Sequence, residues 1–317
     1  MTEAAAKARG RSEAAAAGVD TSVFLSARAT NLLLVLIVAI YGITRLLEST
    51  SHSSAPTVLV ALDILSALAF ALIHGARHYG VRGIGVFVAI CLIVGNVIEN
   101  IGVMTGFPFG RYFFADLMGP KLFNVPILLG CAYIGMAYVS YVLASILLGR
   151  IDPILAGAHS FALPVVAGFI MVAWDLAQDP VWATVLHGWI WRDGGPWFGV
   201  PVSNYFGWYL NVFLIYLLFT VFLSRRPARH IRAESASWTL AILLYSVCAA
   251  GNVLQCIPSP NPATTADPTG KLWRVTDITG ASALISIFVM GAFAVFAWVR
   301  LLELRKCERC RPNPLRG

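Results

Sequence analysis

The sequence predicts an all-α protein, a polytopic membrane bundle of about eight transmembrane helices with both termini on the cytoplasmic side. Three observations carry that prediction. Of 317 residues, 58% are hydrophobic and only 12% charged, with a mean hydropathy of +0.75, well above what a soluble core requires. Eight windows are long and apolar enough to cross a hydrocarbon layer, which takes about 17 to 25 residues each. The connections between them alternate in charge: one alternating set of segments holds 17 of the 23 Lys and Arg and the other holds 6. Basic residues are retained on the cytoplasmic side, so the richer set, which includes both ends of the chain, faces inward.

Taken in order, residues 1–30 are Ala-rich, without the apolar stretch or cleavage site of a signal peptide, and read as a flexible cytoplasmic tail. The membrane domain is expected over 31–302. Its windows fall at 31–47, 57–74, 84–102, 125–148, 155–177, 205–223, 237–257 and 279–302. Asp63 lies about two turns below the outer end of the second. The third ends outward in Asn96, Glu99 and Asn100, and the fifth in Trp174, Asp175 and Asp179. Pro164 inside the fifth predicts a kink, and Gly168 a close helix contact; ordinary membrane packing accounts for both equally well. The seventh ends outward with Asn252 and Gln255, and Asp277 precedes the eighth. Residues 303–317 read as a basic cytoplasmic tail. The net charge of +7 follows this topology and forms no aromatic-interleaved basic patch, so no nucleic acid partner is expected. A multi-pass protein of a prokaryotic cytoplasmic membrane is the expectation.

The unusual polar residues gather at one level near the outer face. A carboxylate within a membrane helix costs about 2.5 to 3.5 kcal/mol on insertion scales, which makes Glu99 and Asp175 functional candidates. The alternatives for Glu99 are a solvated helix end or a structural clamp with Arg111. Asp175 and Asp179 are one turn apart on one helix face, and Asp179, before Pro180, also fits a helix-ending cap. Close carboxyls in an apolar setting do not both ionise cheaply, so one is expected to hold a proton. The stretch 174–208 has six Trp, and five of the nine in the chain lie between 182 and 208. An interfacial aromatic belt explains part of this, although a belt spreads over all helices. Aromatic faces within about 6 Å also stabilise cations.

Other chemistries are set aside. Lys occurs only at 7, 121, 271 and 306, outside every span, so a retinal Schiff base has no attachment point. His74 and His78 lack a matching His on another helix for haem, and the Cys307/Cys310 pair lacks partners for a metal site. No phosphate-binding loop, dinucleotide fingerprint or nucleophile elbow occurs, so no cofactor and no metal are expected. The six Cys give no disulfide framework, and no internal repeat stands out.

The runs NVIENIGVMTGFPFGRYFF (96–114), DLAQDP (175–180) and GWIWRDGGPWFGVPVSNYFGW (188–208) resemble the membrane carotenoid biosynthesis proteins that include the CruF-type carotenoid 1′,2′-hydratases. The resemblance runs from the third window to the start of the sixth, in order and with spacing kept. It implies addition of water to the terminal double bond of an acyclic ψ end, with an acyclic or monocyclic carotenoid in the bilayer as substrate. Whether an elongase or glycosyltransferase partner is required stays open. That reaction needs a general acid, cation-stabilising faces and a held water. The residues offer Asp175 or Glu99 as donor, with the other and Asp179 to orient and deprotonate water. Trp174, Tyr112 and Trp208 would form the aromatic wall, Asn96 and Asn204 would hold water, and Arg111 or Arg192 would bias the acids apart. Isomerisation or elimination on the same scaffold, and a membrane transporter or lipid-binding protein, are the rival readings.

Overall fold

The computed structural model describes residues 26–50, 57–150, 159–226, 236–256 and 263–310; the expected tails before residue 26 and after residue 310 lie outside the described residues. The described chain is a bundle of helices: α1 (Ala27–Thr50), α2 (Thr57–Thr105), α3 (Ile127–Leu147), α4 (His159–Pro180), α5 (Val202–Ser224), α6 (Ala236–Gln255), α7 (Val275–Ile285) and α8 (Gly291–Cys310). Among the described residues, seven helices are long and apolar enough to cross a membrane, α7 and α8 forming one of them through a π turn at Ser286–Met290. Their outward faces suit lipid: Leu32, Ile43, Ile93, Phe161, Phe206 and Phe296 are all more than half exposed. Helices are the form in which a chain satisfies its own backbone inside hydrocarbon.

The windows at 57–74 and 84–102 belong to one helical run, α2, in which only Gly80 is non-helical, at φ 76° and ψ 162°. That residue turns the chain back on itself. A Cβ on Gly75 would lie 2.5 Å from Cδ1 of Ile84, whereas nine residues of straight helix would separate the two by about 13 Å. The backbone angles at Gly80 belong to a region essentially restricted to glycine, which is how one residue replaces the expected connection. The two arms of α2 therefore make two passes, and Asp63 and Glu99 return to the same level.

Helix boundaries depart from the sequence expectation at both ends of the membrane domain. The first helix begins at Ala27, within the expected tail, and α8 continues to Cys310, so residues 303–310 are helical. Pro164 sits inside α4. Gly168 of α4 allows Tyr209 of α5 to lie close, since a Cβ there would be 2.9 Å from its ring, and Gly135 of α3 does the same for Ala67 of α2 at 2.8 Å. The centre of the bundle is aromatic, with Phe87, Tyr138, Tyr141, Tyr216, Phe219, Trp238 and Tyr245 fully buried.

The long connections are built rather than loose. In the first, β1 (Tyr112–Phe114) pairs antiparallel with β4 (Trp189–Trp191) in the second, with Tyr112 opposite Trp191 and Phe114 opposite Trp189. Between them β2 (Lys121–Leu122) and β3 (Val125–Pro126) form a small hairpin that leads into α3. A third hairpin, β5 (Thr264–Ala266) with β6 (Leu272–Arg274), precedes α7. Phe109, buried in the connection just after α2, fits between Gly102 and Gly207, where a Cβ would come within 2.5 and 2.7 Å of its ring. Its carbonyl accepts from Ser203 Oγ at 2.6 Å, which fastens the start of α5 to the first connection.

Candidate active site

The β1–β4 pair joins the two connections that carry the site. Alternation along β1 turns Tyr112 and Phe114 inward and leaves Phe113 exposed. Tyr112 thereby reaches back to the end of α2, and Trp189 reaches across to the end of α4. The α4 helix gives way to a π turn at Val181–Val185 immediately after Pro180, whose missing N–H cannot sustain the α-helical ladder. This bend sends the chain toward β4 just beyond Asp179.

Glu99, Asp175 and Asp179 line one cavity of about 710 Å³, together with Tyr112, Tyr133, Trp174, Trp182, Trp189, Trp191, Asn204 and Trp208. The three acids are 2%, 7% and 1% exposed. Their surroundings differ. Glu99 accepts a hydrogen bond from the Tyr112 hydroxyl on Oε2, and Tyr133 OH of α3 approaches Oε1 at 3.5 Å. Burial, and then the Glu99 carboxylate beside it, push the Tyr112 hydroxyl well above its usual range, so it stays protonated and donating. Asp179 accepts from Trp189 Nε1 at 2.6 Å on one oxygen and from Asn204 Nδ2 at 2.5 Å on the other. Asp175 is the exception: its buried Oδ2 has no hydrogen-bond partner. None of the ion pairs among the described residues includes these three acids. The aromatic walls pack against each other, Tyr133 with Trp208 at 4.4 Å between ring centroids and Tyr112 with Trp191 at 4.7 Å.

The same cavity reaches a second polar group. Arg45 of α1, 6% exposed, donates to Glu48 at 2.9 Å and to Asn252 Oδ1 at 2.5 Å, and lies 4.0 Å from Asp63. Asn252 also accepts from Gln178 Nε2 at 2.7 Å and donates to Ser286 Oγ at 3.0 Å. This network ties α1, α4, α6 and the π turn after α7 around a buried guanidinium, whose charge is tolerated in a membrane interior because it is paired and hydrogen-bonded.

Of the residues expected from sequence, the structure brings Glu99, Asp175, Asp179, Tyr112, Trp174, Asn204 and Trp208 together at the cavity. Asn96, Arg111 and Arg192 are not there. Asn96 is occupied by its own helix, its oxygens accepting from Asn100 Nδ2, while Asn100 Oδ1 accepts from Asn124. Arg111 is exposed and forms a two-pronged pair with Asp193, whose carboxyl it holds below the usual range through that hydrogen bond. It therefore makes no clamp with Glu99. Arg192 is exposed too, over the Phe113 ring at 5.5 Å. Both arginines flank the Tyr112–Trp191 end of the β1–β4 pair, and their side chains turn to the surface while Tyr112 beside them turns inward to Glu99. Sequence reasoning left Tyr133 and Trp189 without a role. A lone tyrosine in an apolar span carries little signal, while Trp189 was visible only as one of a crowd. Among the described residues, no group of three His, Cys, Asp or Glu side chains is placed to hold a metal ion.

The chain is 32% identical over 123 residues to a bisanhydrobacterioruberin hydratase of Haloarcula japonica, a match covering 38% of this chain and 40% of that protein. No solved structure matches. A sequence model of the family described as carotenoid biosynthesis protein matches residues 57–266, from the start of α2 through α6, all three acids included, and the chain belongs to that family.

Proposed function

We propose that the chain is an enzyme of the cell membrane that hydrates an acyclic carotenoid end, adding water across the terminal C1′=C2′ double bond without a cofactor. The observation that carries this reading is the difference between the acids: Glu99 and Asp179 are held by hydrogen bonds, while Asp175, one turn from Asp179, keeps an oxygen without a partner. The partial likeness to a hydratase supports the same reaction class.

In this reading Asp175 is the general acid. Its O–H bond breaks as the π pair of the alkene takes the proton at C2′, the less substituted carbon, which leaves a tertiary cation at C1′. Aromatic faces of Trp174, Tyr133 and Trp208 stabilise that charge. Water held by Asn204 and Asp179 donates a lone pair to C1′, forming the C–O bond, and loses its proton to Asp179. Proton return along α4 from Asp179 to Asp175 resets the pair, so water and alkene are consumed and a tertiary alcohol results. Glu99, fixed by Tyr112, holds the water-side geometry.

The test is expression in a bacterial host that makes lycopene or γ-carotene, followed by mass spectrometry of the pigments. The expected product is heavier by one water and carries ¹⁸O when grown in labelled water, and Asp175→Asn accumulates in the membrane without forming it. Isomerised or desaturated product without label would replace hydration with another isoprenoid reaction. Bound but unaltered carotenoid would favour a carrier.

A further inference from the structure

We infer that the cavity is loaded sideways from the bilayer through one opening, between Leu117 and Ile127, and that the apolar chain behind the reacting end group remains in that opening during the reaction. The inference rests on the carotenoid reading above. Nearly all residues that line the cavity are buried or half-buried; the exposed ones are Leu117, Gly119, Pro120 and Ile127. All four come from one short stretch, the segment between β1 and the first turn of α3. Leu117 is 60% exposed and Ile127 56%, so these two side chains touch the cavity on one side and the surroundings on the other.

The rim is apolar, and its neighbours Leu122 and Phe123 are 53% and 80% exposed. The two charges of the segment lie outside the cavity lining: Lys121 Nζ bonds Asp116 at 3.2 Å and the Phe114 carbonyl at 2.8 Å, and the Asp116 side chain is fully exposed. A hydrated or charged ligand would be stripped of water at such a rim, whereas a hydrocarbon crosses it without loss. Size gives the second argument. A sphere of this cavity's volume is about 11 Å across, enough for a compact ligand. A carotenoid polyene is several times longer, so the end group alone lies beside the acids and the chain projects outward. Gly119 keeps that path clear, since a Cβ there would meet nothing within 4 Å.

Leu117→Trp and Ile127→Trp narrow the opening at positions where a larger apolar side chain meets lipid rather than the core, and Val97→Trp, on an exposed face of α2 away from the cavity, is the control. Two substrates are compared, lycopene and a short acyclic hydrocarbon with the same isopropylidene end. Hydration is read by mass spectrometry, and lycopene binding by the induced circular dichroism of its polyene band on the purified protein. The expected result is at least a tenfold loss of lycopene binding and hydration in Leu117→Trp and Ile127→Trp, with the short substrate hydrated at the wild-type rate and Val97→Trp unaffected. Lycopene handled by both variants as by the wild type overturns the inference, as does equal loss of long and short substrates. A wild type that binds lycopene but hydrates neither substrate removes the proposed reaction; blocked binding in the two variants would still support the opening.

Discussion

Asp175 and Asp179 are four residues apart on one helix face, yet their hydrogen bonding separates them, and substitution should expose that difference. Asp175→Asn removes the proposed proton donor without changing shape, and turnover should fall by about 10²- to 10⁴-fold, the usual contribution of a positioned acid or base. Asp179→Asn should fall by a similar factor. In addition, it presents an amide N–H to either Trp189 or Asn204, both donors, and is expected to lower the thermal midpoint, which Asp175→Asn should not. Tyr112→Phe strips the donor from Glu99 Oε2, at a cost of about 1 to 3 kcal/mol for a buried acceptor left bare. Activity should drop roughly tenfold, read as kcat on the hydrated product. A Tyr112→Phe protein with unchanged kcat would remove Glu99 from the mechanism. At this scale the acids were legible because a charge inside an apolar window stands out from its neighbours. Arg111 and Arg192 were misplaced because sequence does not say which way a loop side chain points, and here strand alternation turns both to the surface.

Gly80 decides whether α2 is one rod or two passes. Its φ and ψ lie where a side chain is strained, so Gly80→Ala should cost about 1 to 3 kcal/mol and lower the midpoint of thermal unfolding in detergent. An unchanged midpoint would show that the reversal does not depend on that conformation. The apolar windows themselves were legible, since hydropathy is a local property summed over a span. The β1–β4 pair was not: strands of three residues, separated by some seventy-five positions, leave no periodic trace. The β5–β6 hairpin was equally hidden, and its stability has a definite pH dependence. Burial works against the Asp267 charge, but hydrogen bonds from the Thr269 hydroxyl, Trp273 Nε1 and the backbone N–H groups of Lys271 and Thr269 outweigh it and hold the carboxyl below its usual range. A depressed folded pKa adds stability above the unfolded value of about 3.9 and loses it as pH falls through the folded one. Relative to the intrinsic rate of each amide, hydrogen exchange over residues 264–274 should thus stay strongly retarded at neutral pH and lose that retardation only below about pH 4. Asp267→Asn should quicken it at neutral pH as well.

For the whole molecule, the distribution of basic residues decides which way the bundle faces. Among the described residues, the end that holds the acids has six basic residues, Arg45, Arg111, Lys121, Arg192, Lys271 and Arg274, whereas ten, Arg28, Arg77, Arg82, Arg150, Arg225, Arg226, Arg300, Arg305, Lys306 and Arg309, lie at the opposite end around the Gly80 reversal. Retention of basic segments in the cytoplasm then predicts the reversal inside and the acids near the outer face. Cysteine labelling reads this directly. In a chain cleared of its native cysteines, Arg82→Cys and Ser203→Cys put one exposed thiol at each end. A membrane-impermeant reagent added to intact cells should label position 203 and leave 82 untouched until the cells are opened. The reverse pattern would turn the protein over, and labelling of both from one side would contradict the two passes of α2. If the expected pattern holds, the protons for Asp175 equilibrate with the outer compartment rather than with the buffered cytoplasm. External pH would then shift hydration in whole cells, whereas cytoplasmic pH, clamped with a permeant weak acid, would not.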